Sequence, residues 1–522
     1  MLGRRVGSGP QLRESGGHMA RSGAIAALAA LVMTVTAVGA CSFDDGEAGA
    51  DDDPPTVTVE RPDGPAAELS DPLTGGNGVF IGASSPADVA ASGFVEEEFA
   101  ASGTATSYRA DGELPTDGTF VLEPDASADY RTRILVRRPA EASDFNGTVV
   151  VEWLNVSGGV DAGPDWTYMA DEITRGGYAW VGVSAQLIGV EGGPVAVSPG
   201  ELGEGLAGKG LKAIDPARYG DLQHPGDAFA YDIYTQVGRA LRAGDGLGDL
   251  EPERVLAVGE SQSAFALTTY VNGVQPLTLA YDGFLVHSRG GAAAPLGGPD
   301  TNIDIASAIS GQPTRLRTDL DAPIMVVETE TDLVSIIGYH PARQDDADTL
   351  RLWEIAGTAH ADAYQIGDVA SALGCPAPVN DGPQHFVIKS ALRHLDAWVG
   401  DGEAPPEAPR LDVDDSGDAP AIVRDGDGIA LGGIRTPQVD VPTSVLSGDP
   451  PPNSSIICML FGTSTPMTAE QLAARYPSAD DYEAAYADAA DAVIEAGFVL
   501  DDDRDELMAD ADPDAVSAAT GG

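Results

Sequence analysis

Lysine is nearly missing from this 522-residue chain: Lys209, Lys212 and Lys389 are the only three, and all cationic side chains together number 29 against 82 Asp and Glu, a formal charge of -53. Such a surface repels a phosphate backbone and argues against nucleic-acid partners. It is also well solvated, and acidity by itself identifies no substrate. Cysteine is almost as scarce, with Cys41, Cys375 and Cys458 alone, and none has a histidine at metal-ligand spacing. No G-x-x-x-x-G-K-[ST] phosphate-binding loop occurs and the Gly-Gly pairs do not form a dinucleotide fingerprint, so neither a metal nor an organic cofactor is expected. Internal repeats, coiled-coil heptads and a further apolar run that could span a membrane are lacking too.

What is there begins near the N-terminus. Arg21 precedes the apolar run Ala24 to Val38, which ends in Val38-Gly39-Ala40-Cys41. This run is short for a membrane span and has the basic, apolar and small-residue zones of a secretory signal. Small residues directly before a cysteine resemble a bacterial lipobox, which implies that Cys41 takes a diacylglyceryl group and becomes the mature N-terminus. An ordinary signal peptide with an incidental cysteine is the alternative, and Met19 is an alternative start. Residues 1–41 are therefore read as a lipoprotein-type signal peptide, and the protein as extracytoplasmic and lipid-anchored to the cell membrane. Residues 42–56, with Asp44-Asp45, Asp51-Asp52-Asp53 and two prolines, read as an acidic flexible linker. In an oxidising compartment Cys375 and Cys458 most simply pair with each other, with two buried thiols as the alternative.

From Val57 onward short β-rich runs alternate with helical patterns, the signature of an α/β protein with a mostly parallel sheet. Strands are predicted at Tyr130 to Val136, Thr148 to Leu154, Ala179 to Ser184, Val255 to Val258, Gly283 to Val286, Ile324 to Val327 and Leu350 to Ile355. Helices are predicted at Asp165 to Arg175, over Phe229, Ile233, Val237 and Leu241, at Ala264 to Val271 and at Phe386 to Val399. The Gly-rich stretch 289–320, with a helix-like Ile303 to Ile309, interrupts this rhythm as either a cap or a surface excursion. The main domain is read as 57–405, followed by a C-terminal extension 406–501 packed on it. That extension carries one helical run, Ala469 to Ala496, and an acidic, Ala-rich, frayed tail follows at 502–522.

The chemistry centres on Gly259-Glu260-Ser261-Gln262-Ser263, a sharp turn between a strand and a helix that exposes a serine hydroxyl. Serine needs a base, and the base needs a carboxylate to hold its tautomer. Asp332 lies just past the strand Pro323 to Val327, with Glu330 as the alternative acid. His360 lies on the small-residue loop Ala356-Gly357-Thr358-Ala359 after the strand Leu350 to Ile355, and His287, at a strand end, is its rival. An acyl-transfer site also needs oxyanion donors. The N–H of Gln262 is one, and the loop Asn155-Val156-Ser157-Gly158-Gly159 would supply the other, from Val156 or Ser157.

The order Ser261, Asp332, His360 on alternating elements resembles the α/β-hydrolase superfamily. More narrowly, Asp215-Pro216-Ala217-Arg218-Tyr219, His224-Pro225-Gly226-Asp227, the stretch Trp353 to His360 and Gly432-Gly433-Ile434-Arg435 resemble a bacterial family known simply as α/β-hydrolase-domain proteins. The resemblance implies an α/β-hydrolase fold over roughly Val57 to Asp501, with Ser261 as nucleophile, His360 as base and Asp332 as acid. Ser263 departs from the usual G-x-S-x-G pattern. The activity so implied is a serine hydrolase cleaving a small-molecule or lipid-like carboxylic ester. An acyltransferase using the same residues, or a noncatalytic surface-binding lipoprotein, are the alternatives. Acyl chain length and oligomeric state stay open.

Overall fold

Valine-rich runs whose residues alternate between two apolar faces build the centre of the molecule. The structure, a computed structural model, describes residues 61–82, 87–196, 205–303, 305–367, 370 and 373–521, all within the unit Glu60–Gly522. The signal segment, Cys41 and the 42–56 linker lie outside the described residues.

Nine strands form one sheet in the order β1-β2-β3-β5-β4-β6-β7-β8-β9. They are β1 (Glu68–Leu69), β2 (Phe94–Ala110), β3 (Leu122–Pro139), β4 (Thr148–Trp153), β5 (Ala179–Val183), β6 (Arg254–Glu260), β7 (Gly283–His287), β8 (Ile324–Thr329) and β9 (Leu350–Ile355). The pairs from β5 through β9 are parallel, and those joining β1, β2, β3 and β5 are antiparallel. All of β4, β5, β7 and β8 is buried, as parallel strands covered on both faces must be.

Helices cover both faces. On one, Leu256, Val258, Leu285, Met325 and Val327 pack with α1 (Pro164–Arg175) and α5 (Gln384–Asp401) through Met169, Ile173, Ile388 and Leu392. On the other, Val255, Ala257, Phe284, Val286 and Val326 pack with α2 (Ala230–Arg242) and α3 (Gln262–Thr269) through Ile233, Val237, Phe265 and Leu267. The helix α4 (Glu330–Val334) follows β8 directly. This is the α/β-hydrolase fold, a mostly parallel sheet between helical layers.

Three features depart from the sequence reading. The strand read at Tyr130 to Val136 is an 18-residue strand paired with the unanticipated β2. The acidic run Glu96-Glu97-Glu98 of β2 is matched by Arg137, Arg138 and Arg133 of β3. The single helix read at Ala469 to Ala496 is two, Ala469–Arg475 and Ala479–Glu495. Pro477 biases Tyr476 into the extended region, and Ser478 caps the second helix by accepting the N–H of Asp481. The tail is ordered rather than frayed: Arg504–Ala509 and Pro513–Thr520 are helices that bury Leu507 and Val516.

In the 289–320 stretch the helix is confined to Ile305–Ile309. The segment leans on α3, where Ala294 donates its N–H to Phe265 and accepts from the Thr269 hydroxyl. The C-terminal extension is stitched to the edge of the sheet, Ile434 forming a parallel bridge with Ile355 and the Trp353 indole donating to Pro406. A disulfide joins Cys375 and Cys458. Among the described residues no helix is long and apolar enough to cross a membrane.

Candidate active site

The adjacent strands β4 and β6 send their connections in opposite directions, β4 to β5 and β6 to β7, and the C-terminal ends of two such strands are where open α/β sheets place their ligand crevice. The loops after β4 and β6 lie at those ends. They are Asn155 to Gly159 and the turn at Ser261.

Ser261 stands between β6 and α3 with φ 58° and ψ -118°, a left-handed conformation unusual for a residue with a side chain and one that lifts the hydroxyl above the sheet. Its N–H is held by the carbonyl of His287. The turn demands Gly259, where a Cβ would come within 2.9 Å of the Ser263 Cβ and 3.0 Å of Leu267. Ser263 takes the place of the second glycine and is fully buried against that gap.

Asp332 owes its position to a capping box. Thr329 caps α4 and accepts the Asp332 N–H, while Asp332 Oδ2 accepts the Thr329 N–H at 2.8 Å and the Thr329 hydroxyl at 2.7 Å. That fixes one carboxylate oxygen and leaves Oδ1 for His360 Nδ1, 2.6 Å away. His360 Nε2 in turn lies 2.8 Å from Ser261 Oγ. Ser261, His360 and Asp332 thus form one hydrogen-bonded chain, and the structure brings all three together.

Burial and charge oppose each other within this chain. Burial alone would depress His360, but the Asp332 carboxylate and its hydrogen bond outweigh it, with a smaller contribution from Glu260, and the imidazole is raised. Burial alone would raise Asp332, yet His360 and the Thr329 donors hold it below the usual carboxylate range. Each partner favours the charged form of the other.

Glu330 goes elsewhere. It accepts the N–H of Gly357 at 2.5 Å and of Gly448 at 2.9 Å and pairs with Arg424 at 2.7 Å. Those bonds tie the His360 loop to the C-terminal extension. The same loop is fixed by Ala356 donating to Ile434 and Ala361 donating to Leu460. His287, the rival base, pairs through Nδ1 with Asp165 at 2.9 Å, and Nε2 meets Gln384 Nε2 at 2.7 Å.

The oxyanion side differs from the expectation. The N–H of Gln262, first residue of α3, precedes any i-4 acceptor in its helix. In the β4 loop, however, the Val156 N–H donates to the Gln262 side-chain oxygen at 3.1 Å, and the Ser157 N–H to Asn155 Oδ1 at 2.8 Å. Both proposed second donors are engaged by side chains.

Sequence reasoning missed Glu260. Its carboxylate is buried, and Oε1 lies 3.7 Å from His360 Nε2. Burial pushes it up to about 7, against the pull of His360 and His287 and with the repulsion of Asp165 and Asp332. A carboxylate inside the Gly-x-Ser turn was the available signal.

The model of the family described as "Alpha/beta hydrolase domain" matches residues 69–509. No curated protein matches the chain. The similar solved structures include the following three, all at low identity. An esterase from the fungus Rhizomucor miehei is 13% identical with a TM-score of 0.30, over 59% of this chain and 85% of that one. A serine hydrolase without a lid from Xanthomonas campestris is 12% identical with a TM-score of 0.26, over 50% and 85%. A serine hydrolase homologue from Coxiella burnetii is 11% identical with a TM-score of 0.26, over 44% and 84%.

Proposed function

The chain belongs to the alpha/beta hydrolase domain family and is a hydrolase; from that premise we propose that it is an extracytoplasmic serine hydrolase that cleaves carboxylic esters through Ser261, His360 and Asp332. The observation that carries this reading is the continuous hydrogen-bonded chain from Ser261 Oγ through His360 to Asp332. Its geometry supports a two-step acyl transfer. His360 Nε2 takes the Ser261 proton as Oγ bonds to the ester carbonyl carbon. The negative oxygen that develops faces the Gln262 N–H. Collapse of the tetrahedral species breaks the bond to the alcohol, which leaves with the proton held by His360. Water then loses a proton to His360, attacks the acyl-serine carbonyl and frees the acid, and Ser261 regains its hydrogen.

Covalent labelling with a fluorophosphonate tests the claim directly. Wild type should label and Ser261→Ala should not; a well-folded wild type that fails to label would sink the serine mechanism. For location, the run Ala24 to Val38 and the sequence Val38-Gly39-Ala40-Cys41 support a lipid anchor on Cys41. Incorporation of a clickable fatty acid in the producing cell should vanish in Cys41→Ser. Recovery of unlipidated wild type from the cytoplasm would overturn it.

A further inference from the structure

Glu260 sits beside the nucleophile and has no part in the mechanism above. Asp332 already serves Nδ1 of His360. Glu260 Oε1 lies at the other nitrogen, 3.7 Å from Nε2, too long for a hydrogen bond and close enough for a strong charge interaction in a buried site. Asn155 keeps the carboxylate there, its Nδ2 donating to the Glu260 carbonyl at 3.1 Å and to Oε2 at 3.4 Å. The titratable groups facing it are His360 after β9, His287 at the end of β7, Asp165 and Tyr168 on α1, and Asp332 on α4.

We propose that Glu260 is a second carboxylate for the His360 imidazole, a positioning residue that stabilises the imidazolium on its Nε2 side as the ring takes the Ser261 proton. The inference rests on the Ser261–His360–Asp332 reading. Glu260 itself gains and loses no proton during turnover; the proton passes from Oγ to Nε2 and on to the leaving alkoxide. What Glu260 supplies is charge, and it supplies it only when ionised. Its ionisation falls near pH 7, because burial pushes the carboxyl up to about 7. The contribution is therefore absent in acid and present in base, which separates it from a packing role. Packing would act at every pH.

The experiment compares wild type, Glu260→Gln and Glu260→Asp over about pH 5 to 9, reading kcat/KM on a simple aryl ester and the rate of fluorophosphonate inactivation. Below about pH 6 wild type and E260Q should react alike, since a protonated carboxyl and an amide carry the same charge. Above about pH 8 wild type should be roughly tenfold faster, the factor that one pK unit of imidazolium stabilisation represents, with the change centred near 7. The acid limb of E260Q should move to lower pH, because one of the two carboxylates that raise His360 is gone. E260D should restore part of the rate and of the pH dependence. A ratio that stays constant with pH, or one that stays at unity throughout, overturns the role of Glu260 and leaves the triad reading intact. Absence of labelling in wild type would instead overturn the triad reading and this inference with it.

Discussion

Glu330 and Asp332 stand two residues apart on the same turn of α4 and serve different parts of the site: Asp332 bonds the His360 ring, whereas Glu330 bonds the backbone of the loop that carries it. The two carboxylates should separate cleanly on substitution. Asp332→Asn keeps the shape and removes the charge that orients and supports the imidazolium, so kcat should fall by about 10^4-fold while the melting temperature changes little. Glu330→Gln should keep kcat within a few-fold, yet weaken acceptors for Gly357, Gly448 and Arg424 and cost about 1–3 kcal/mol of stability. Steady-state kinetics and calorimetry on the two variants check this. Loss of kcat in E330Q equal to that in D332N would assign the acid wrongly.

Glu260 should make stability depend on pH. A carboxyl that binds its proton more tightly in the folded state than in the unfolded one loses stability as pH rises from its unfolded value, about 4.3, to its folded value. For Glu260 that window runs from about 4.3 up to about 7, where the raised carboxyl finally ionises. Glu260→Gln removes this loss. The variant should match wild type near pH 4 and be more stable by about 1–3 kcal/mol near pH 8, measured by denaturant unfolding at both pH values. An equal difference at both would show that the carboxyl is not raised by burial.

Gln262 holds the Val156 N–H with its side-chain oxygen, so a substrate oxyanion that used this donor would have to displace the amide. Gln262→Ala frees the Val156 N–H and keeps the backbone N–H at position 262. Its kcat/KM should equal or exceed wild type. A fall of about 10^2-fold, the usual cost of losing an oxyanion donor, would show that the amide contributes to transition-state stabilisation in its own right.

Cys375 and Cys458, 83 residues apart, pin the stretch whose Leu460 and Phe461 carbonyls accept the N–H groups of Ala361 and Asn380. Replacing both by serine should cost about 2–4 kcal/mol through the freed unfolded chain. Faster hydrogen exchange at Ala361 and Asn380 should accompany it. If exchange there stays at wild-type rates, the bond stabilises the chain without bracing the His360 loop.

The parts of the molecule legible in the sequence were those where local pattern and tertiary environment agree. A parallel strand buried on both faces must be continuously apolar, which is why Val255 to Val258 and Ile324 to Val327 stood out as strands. The residues after them then fell at the sheet edge, and Ser261, Asp332 and His360 could be read from that placement. β2 was not legible because its Glu96-Glu97-Glu98 run finds arginines on β3, a match between distant residues. Nor could the sequence reveal that the Gln262 side chain would reach the β4 loop, or that burial would hold Glu260 against His360. Both depend on what packs around the turn.

The tail is a further case of this kind, because its acidic residues meet a buried cation more than a hundred residues away. Lys389 on α5 is fully buried, and its ammonium meets Asp503 Oδ1 and Glu506 Oε2, each at 3.0 Å. Asp503 also pairs with Arg175 on α1. An acidic segment that looks solvated in isolation therefore neutralises a charge in the interior. Removing one side of such a pair leaves a buried ion uncompensated, which costs more than the pair contributes. Asp503→Ala with Glu506→Ala should lose about 3–5 kcal/mol in denaturant unfolding. Adding Lys389→Met should recover part of the loss, since the stranded charge disappears and an apolar side chain of similar length fills its channel. If the third substitution recovers nothing, the tail is held by Leu507 and Val516 instead of by the ion pairs.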